Sequence, residues 1–265
     1  MFFDNEQIKA IQGIVKKAGK AIVLKYNENT PFQMKEDDTP LTEADLLSHK
    51  IILKGLKELT PEINILSEEG DYIPFKQRAL WSEYWLIDPL DGTIGFIEKT
   101  DDFCVCISYI KNNEPVFGLI YEPLTDTIYM ANSRDVAYKI KDDIWQQIFA
   151  QKPKNKLKIV VGRYSVDKKQ IKQHLYSVIE DCEEYTISGV GSALKFCFIA
   201  EGLYDCYPAL GICSEWDTAP GSFILRSAGG YVVDLFDNPL KYNFKNDMLS
   251  PMFLASGDFK ISRIS

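Results

Sequence analysis

Trp85-Leu86-Ile87-Asp88-Pro89-Leu90-Asp91-Gly92-Thr93 is the segment on which the fold turns. Its three leading apolar residues read as a short buried strand. Asp88 then stands where that strand reaches the edge of a sheet. Pro89 lacks an N–H donor and breaks the strand pattern. Gly92 permits a tight backbone path and the close approach of a ligand. Two carboxylates three residues apart around such a turn can converge on one point. Magnesium takes oxygen ligands in octahedral geometry and keeps places for water and phosphate oxygens, and the free N–H groups of a turn can cradle a phosphate. Acidic turns also arise for purely conformational reasons. Alone, the segment reads equally as a metal turn or as a polar turn with an Asp cap.

Toward the N-terminus, Ile63 to Leu66 is a second short apolar strand, ending in Ser67-Glu68-Glu69-Gly70. By itself that Glu pair reads as solvated loop charge. Asp4 to Leu24 predicts a helix, because Ile8, Ile11, Val15, Ala18 and Ile22 recur at helical spacing and Asp4 with Gln7 forms a capping pair. Asn27 to Pro40 is a looser polar stretch. A second helix starts near Thr42, whose hydroxyl can cap it, with Leu47, Ile51, Gly55 and Leu59 as its inner face. Thr42-Glu43-Ala44-Asp45 puts acids at the favourable end of that helix's dipole.

Toward the C-terminus, Phe103 to Ile110, Val116 to Tyr121 and Thr127 to Ala131 predict a meander, with turns at Asn112-Asn113 and around Pro123. The second half alternates. Strands are expected over Lys158 to Gly162, Tyr185 to Gly189, Tyr231 to Leu235 and Met252 to Ala255; helices over Asp167 to Ile179, Ser192 to Ala200 and Asp217 to Ala228. In Trp216-Asp217-Thr218, Asp217 alone reads as the cap of the last helix. The expected class is therefore α+β. Helices on an antiparallel sheet occupy residues 1–153, a smaller α/β half occupies residues 154–265, and the polar segment Gln151 to Lys156 marks the boundary.

The 265 residues are 46% hydrophobic and 26% charged, which suits a globular chain with a real core. A net charge of −8 with no basic face argues against a nucleic-acid polymer as partner. An acidic protein acting on a phosphate needs cations to offset repulsion, and bound divalent ions supply them. Cys104, Cys106, Cys182, Cys197, Cys206 and Cys213 form no CxxC pair and are expected to be buried reduced thiols, with Cys104 and Cys106 on one strand face. The opening MFFDNEQIKA has neither the basic nor the apolar region of a signal peptide, and no run reaches the ~18 apolar residues of a membrane span. A cytoplasmic location is expected.

Asp45, Glu68-Glu69, Asp88 with Asp91, and Asp217 all stand where a strand ends or a helix begins. Gathered like charges repel unless cations share them, so the conjunction says more than any member. Absences narrow the chemistry. His49 and His174, the two histidines, stand in no nucleophile or metal motif and are read as surface residues. No GxSxG elbow, HExxH or Walker loop is present. Metal-activated water is the chemistry left.

Asp88 to Thr93, with Glu68-Glu69 upstream and Trp216-Asp217-Thr218-Ala219 with Gly221 downstream, resembles the inositol monophosphatase superfamily from about Thr42 to Asp234. Leu66-Ser67-Glu68-Glu69, Gly191-Ser192-Ala193-Leu194-Lys195-Phe196-Cys197 and Tyr207-Pro208 are similar to its 3′(2′),5′-bisphosphate nucleotidase branch, the CysQ type. Departures stand at Ile94-Gly95 before Phe96, around Arg134 to Tyr138, at Pro220 and at Ser250, none of them a metal ligand.

The resemblance implies a layered αβαβα sandwich with its site between the two halves. It implies two or three magnesium ions. Glu68, Asp88 and the Leu90 carbonyl would hold the first, Asp88, Asp91 and Asp217 the second, with Asp88 bridging. Asp45 and Thr93 would be the water-activating pair. Gly92 and Thr93 would grip phosphate through their amides, and Glu68, Leu90, Asp91, Ser192, Lys195 and Asp217 would complete the substrate's surroundings. Lys195 would meet the second phosphate of a bisphosphate; the plain reading is a helix-surface lysine. The activity implied is hydrolysis of 3′-phosphoadenosine 5′-phosphate to AMP and phosphate in sulfur assimilation, sensitive to lithium. The partner is then a small phosphorylated molecule, the state a monomer or homodimer, the location cytoplasmic with loose association at the inner face of the membrane. The alternatives are a sugar phosphatase acting on inositol monophosphate or fructose 1,6-bisphosphate, and a non-catalytic phosphometabolite sensor.

Overall fold

The computed structural model describes residues 2–28, 31–35, 40–164, 168–175, 179, 182 and 184–261. Its helices are α1 (Asn5–Tyr26), α2 (Glu43–Leu59), α3 (Phe75–Arg78), α4 (Thr93–Glu98), α5 (Lys168–His174), α6 (Leu194–Ala200) and α7 (Glu215–Ser227). Its strands are β1 (Phe32–Met34), β2 (Pro40–Thr42), β3 (Asn64–Ser67), β4 (Glu83–Asp91), β5 (Cys104–Lys111), β6 (Glu114–Glu122), β7 (Thr127–Ser133), β8 (Val136–Lys141), β9 (Ile144–Ile148), β10 (Lys156–Gly162), β11 (Glu184–Val190), β12 (Cys206–Ala209), β13 (Tyr231–Asp234) and β14 (Phe253–Ser256).

Strands β3 to β9 form one sheet in chain order. β3 runs parallel to β4, and every later neighbour is antiparallel. Alternation along β4 sends Trp85 and Ile87 toward α1 and α2, and Tyr84 and Leu86 to the opposite face. The second sheet has the order β11-β10-β12-β14-β13 and is mixed. Residues of α6 and α7 such as Phe196, Ala219 and Phe223 lie in one core with Tyr129 of the first sheet and Tyr207 and Phe253 of the second. Ile171 of α5 packs on the far face of the second sheet with Leu157, Ile159 and Val161. The layers run helix, sheet, helix, sheet, helix, which is the expected αβαβα sandwich. At Gly118 of β6 an added Cβ would stand 2.6 Å from the Pro220 carbonyl oxygen, so a side chain there would push α7 off the sheet.

All five predicted core positions of α1 are buried, and Asp4 with Gln7 closes its capping box. Asn112 and Asn113 have φ of 51° and 64°, the conformation of a tight hairpin turn. Four expectations need correction. The buried face of α2 is Ala44, Asp45, Ser48, Ile52 and Leu56; Leu47, Ile51, Gly55 and Leu59 only flank it, because polar Asp45 and Ser48 point inward to the site. The polar stretch 27–40 contains β1 and the start of β2, a small antiparallel pair. Asp217 is not a cap but the third residue of α7, capped by Ser214. His49 is half-buried, with Nδ1 2.9 Å from Ser67 Oγ, and burial holds its pKa below the ordinary imidazole value. Strands β8, β9 and β12 were not anticipated. Of the helix expected over 167–179, α5 covers Lys168–His174 and Leu175 follows as a turn; residues 167 and 176–178 lie outside the described residues. None of the six cysteines is in a disulfide; four are buried, and Cys182 and Cys213 are half-buried.

Candidate active site

The site opens at the end of β4, on the face that looks toward the second sheet. Residues three apart on a regular strand point to opposite faces. In the β4–β5 ladder Asp88 pairs with Cys106 and Asp91 with Cys104, so three steps on β4 match two on β5. That single extra residue is a bulge, and it returns Asp91 to the face of Asp88. Ser48 of α2 fixes the bulge by donating to the Pro89 carbonyl at 2.7 Å. Gly92 follows at φ +91°, where an added Cβ would lie 2.8 Å from the Asp102 carbonyl oxygen. Only glycine fits this passage.

Two further acids arrive by a shared local device. Thr42-Glu43-Ala44-Asp45 and Ser214-Glu215-Trp216-Asp217 each form a capping box that turns the third helical residue back on its cap. Thr42 N–H donates to Asp45 Oδ2 at 2.8 Å, and Ser214 N–H donates to Asp217 Oδ2 at 2.8 Å. The other two acids are tethered similarly: Leu90 N–H donates to Asp88 Oδ1 at 2.9 Å, and Ala193 N–H to Asp91 Oδ2 at 2.5 Å.

The structure brings carboxylate oxygens of Asp88, Asp91 and Asp217 within 4.8 Å of one another. Asp45 stands beside them, with Thr93 Oγ1 3.3 Å from its Oδ1 and 3.2 Å from the Leu90 carbonyl oxygen. Glu68, Leu90, Gly92, Ser192 and Lys195 line the same cavity of about 400 Å³, so every sequence-predicted residue other than Asp45 lies on its wall. Glu68 is not part of the three-acid group. Its carboxylate takes the Lys35 ammonium at 2.9 Å, which also holds Glu69 at 2.5 Å.

Burial raises the pKa of Asp88 and Asp217 well above the ordinary carboxylate value, and the neighbouring Glu68 and Asp91 charges add to it. Burial lifts Asp91 to about 6, with Lys195 and the Ala193 N–H pulling the other way. Burial likewise raises Asp45. Three like charges at this spacing, all oxygen donors, form a set that a small hard divalent cation satisfies. The residues present fit such an ion.

Lys195 is not a surface lysine: it is 6% exposed, donates to the Ser192 carbonyl and lies 5.0 Å from the centre of the Tyr207 ring. Three contributors escaped the sequence reading. Arg163, just past β10, lines the cavity and donates from Nε and Nη2 to Asp102 Oδ2 at 2.9 and 2.7 Å. Asp102 also takes the Gly191 N–H and the Thr100 hydroxyl, tying the loop before α6 to the start of β5. Lys35 lay in the polar stretch with no motif around it. The position of Arg163 at the carboxyl end of a parallel strand was the one signal available, since ligands of α/β sheets gather there.

A sequence profile of the inositol monophosphatase family matches residues 4–258. The 3′(2′),5′-bisphosphate nucleotidase CysQ of Aggregatibacter actinomycetemcomitans is 38% identical over 244 residues, covering 91% of this chain and 89% of that protein. The protein of the same name from Salmonella typhimurium is 37% identical, covering 91% and 95%. The crystal structure of CysQ from Bacteroides thetaiotaomicron, a bacterial member of the inositol monophosphatase family, superposes with a TM-score of 0.82 at 30% identity, covering 98% of this chain and 99% of that one. With residues 4–258 matched by the profile and 91% of the chain covered by a relative 38% identical, the chain belongs to the inositol monophosphatase family.

Proposed function

We propose that this chain is a magnesium-dependent 3′(2′),5′-bisphosphate nucleotidase that hydrolyses 3′-phosphoadenosine 5′-phosphate to AMP and phosphate. The observation that carries the reading is the buried acid group of Asp88, Asp91 and Asp217 beside the Asp45–Thr93 pair, in a chain 38% identical to a CysQ nucleotidase. A cavity of about 400 Å³ suits a small phosphorylated molecule. Among the described residues no helix is long and apolar enough to cross a membrane.

Glu68, Asp88 and the Leu90 carbonyl would hold one magnesium, and Asp88, Asp91 and Asp217 a second. When bound, the ions neutralise the acids, lower the pKa of water and offset the charge on the transferring phosphoryl group. The chain's own residues do the rest. Asp45 is held by its cap so that Oδ1 faces the Thr93 hydroxyl. Donating its hydrogen to Asp45 leaves the Thr93 oxygen free to accept a proton from the attacking water. Gly92 and Thr93 offer backbone N–H groups to the phosphate. Lys195 and Ser192 face the part of the substrate that differs between a bisphosphate nucleotide and a sugar phosphate.

Phosphate release with magnesium, compared for 3′-phosphoadenosine 5′-phosphate, inositol 1-phosphate and fructose 1,6-bisphosphate, tests this. A preference of ~100-fold for the nucleotide, about 2.7 kcal/mol of transition-state discrimination, is expected. A preference for either sugar phosphate keeps the metal chemistry and sinks the nucleotidase assignment. Magnesium binding without turnover of any of the three makes the chain a binder instead.

A further inference from the structure

Beneath the acid group, two thiols touch Asp91. Cys104 is its cross-strand partner on β5, and Cys106 lies two residues on, on the same face. The two Sγ atoms are 3.8 Å apart, and they lie 3.8 and 3.9 Å from Asp91 Oδ2. Neither thiol has exposed surface, and Asp91 separates them from the cavity that it lines.

These separations have a specific chemical meaning. Two thiolates on one tetrahedral zinc, with Zn–S of about 2.3 Å, stand ~3.8 Å apart. A point equidistant from three atoms at the spacing seen here lies about 2.2 Å from each, within the range of Zn–S and Zn–O bonds. Asp91 Oδ2 gives one lone pair to the Ala193 N–H, and an sp² oxygen keeps a second. In the free protein both thiols make weak S–H···O contacts with Asp91 Oδ2. Magnesium, a hard ion, has no use for the sulfur pair, whereas zinc, cobalt and cadmium favour it.

We infer that Asp91, Cys104 and Cys106 form a site for a thiophilic divalent cation of the zinc class, distinct from the proposed magnesium site in its two sulfur donors but sharing Asp91. Binding expels the two thiol protons to solvent and forms two metal–sulfur bonds and one metal–oxygen bond. These three donors leave a fourth position on the ion for a further ligand. Because Asp91 serves both sites, occupation of this one opposes magnesium at the other; that consequence rests on the proposed magnesium chemistry, whereas the binding itself does not.

The test is cobalt titration of the full chain in excess magnesium, read by the thiolate-to-cobalt charge-transfer absorption, to which oxygen-only sites contribute nothing. One equivalent is expected to saturate the band, and one equivalent of zinc to erase it. Cys104→Ala and Cys106→Ala are expected to weaken the band by half or more, whereas Cys206→Ala, in the core on the far side of the second sheet, keeps it. Cys106→Ser, which preserves a hydrogen-bond donor for Asp91, replaces the Ala variant should that one fold poorly. Zinc inhibition of phosphate release is expected to require about tenfold more zinc in Cys106→Ser. Absence of the band, or a band that survives both Cys104→Ala and Cys106→Ala, overturns the site. A band with the expected thiol dependence but no effect of zinc on turnover supports the site and counts against the role of Asp91 in magnesium binding.

Discussion

Asp88 and Asp91 face the same way although three residues separate them on β4, because the bulge at Pro89-Leu90 adds one residue that β5 does not match. Their proximity destabilises the ion-free protein and creates the demand for a cation. Asp91→Asn removes one charge from the group. Turnover is expected to fall by ~10²-fold or more. At 100 times its dissociation constant magnesium should stabilise the wild type by about 2.7 kcal/mol, and this gain should vanish in the variant. Thermal unfolding with and without magnesium reads both. Near-normal activity in Asp91→Asn would mean that Asp91 holds no catalytic ion.

On the proposed mechanism Thr93 and Asp45 act as one relay, so their losses should not add. Thr93→Ala and Asp45→Asn are each expected to lower kcat by ~10²-fold or more with a much smaller change in KM. The double variant should be little worse than either single one. Steady-state kinetics on the four proteins checks this; fully additive losses would show that the two residues act separately.

The Asp102–Arg163 pair sets a pH dependence. Burial pushes the Asp102 carboxyl up, but bonds from Thr100, the Gly191 N–H and Arg163 outweigh it and hold the pKa below the ordinary 3.8. A depressed carboxyl stabilises the fold above its unfolded pKa, and that contribution is lost as pH falls through the folded value. Asp102→Asn should therefore cost about 2 kcal/mol at pH 7 and progressively less below pH 3.8. Urea unfolding at acidic and neutral pH distinguishes this from a uniform packing loss.

Gly92 tests the turn itself. An alanine there must adopt φ near +91° with its Cβ against the Asp102 carbonyl oxygen. Gly92→Ala is expected to lose about 1–3 kcal/mol of stability, seen as a lower urea midpoint, and activity along with it. An unchanged midpoint would mean that the turn relaxes without cost.

Much of this was legible in the sequence, for identifiable reasons. The spacing of Ile8, Ile11, Val15, Ala18 and Ile22 on α1 obeys a helical period because one face meets an apolar sheet. The segment Asp88 to Thr93 carries its geometry locally, in a proline, a glycine and two acids. The buried face of α2 was misjudged because its inward residues include Asp45 and Ser48, polar groups that hydrophobic periodicity places outside. Strand β12 escaped because Pro208 stands within it, and proline ordinarily argues against an interior strand. Lys35, Asp102 and Arg163 were unreadable for another reason. Each gains its partner only when distant segments meet, Asp102 and Arg163 being 61 positions apart. Asp45 and Asp217 share a Thr/Ser-x-x-Asp signature that was there to be read; what it meant for the site became visible only in three dimensions.

Each of the four central acids has one oxygen tied to a backbone N–H: Asp45 by Thr42, Asp88 by Leu90, Asp91 by Ala193 and Asp217 by Ser214. This restricts denticity. A carboxylate fixed in this way keeps both lone pairs free on only one oxygen and is discouraged from chelating one ion through both. Calcium commonly takes bidentate carboxylates at longer, more variable distances, whereas magnesium accepts one oxygen from each ligand in a strict octahedron. On the proposed magnesium chemistry the choice between the two ions is then written in the main-chain amides, outside the acids themselves, and a substitution that frees one of those amides is expected to loosen the selectivity without removing a single ligand.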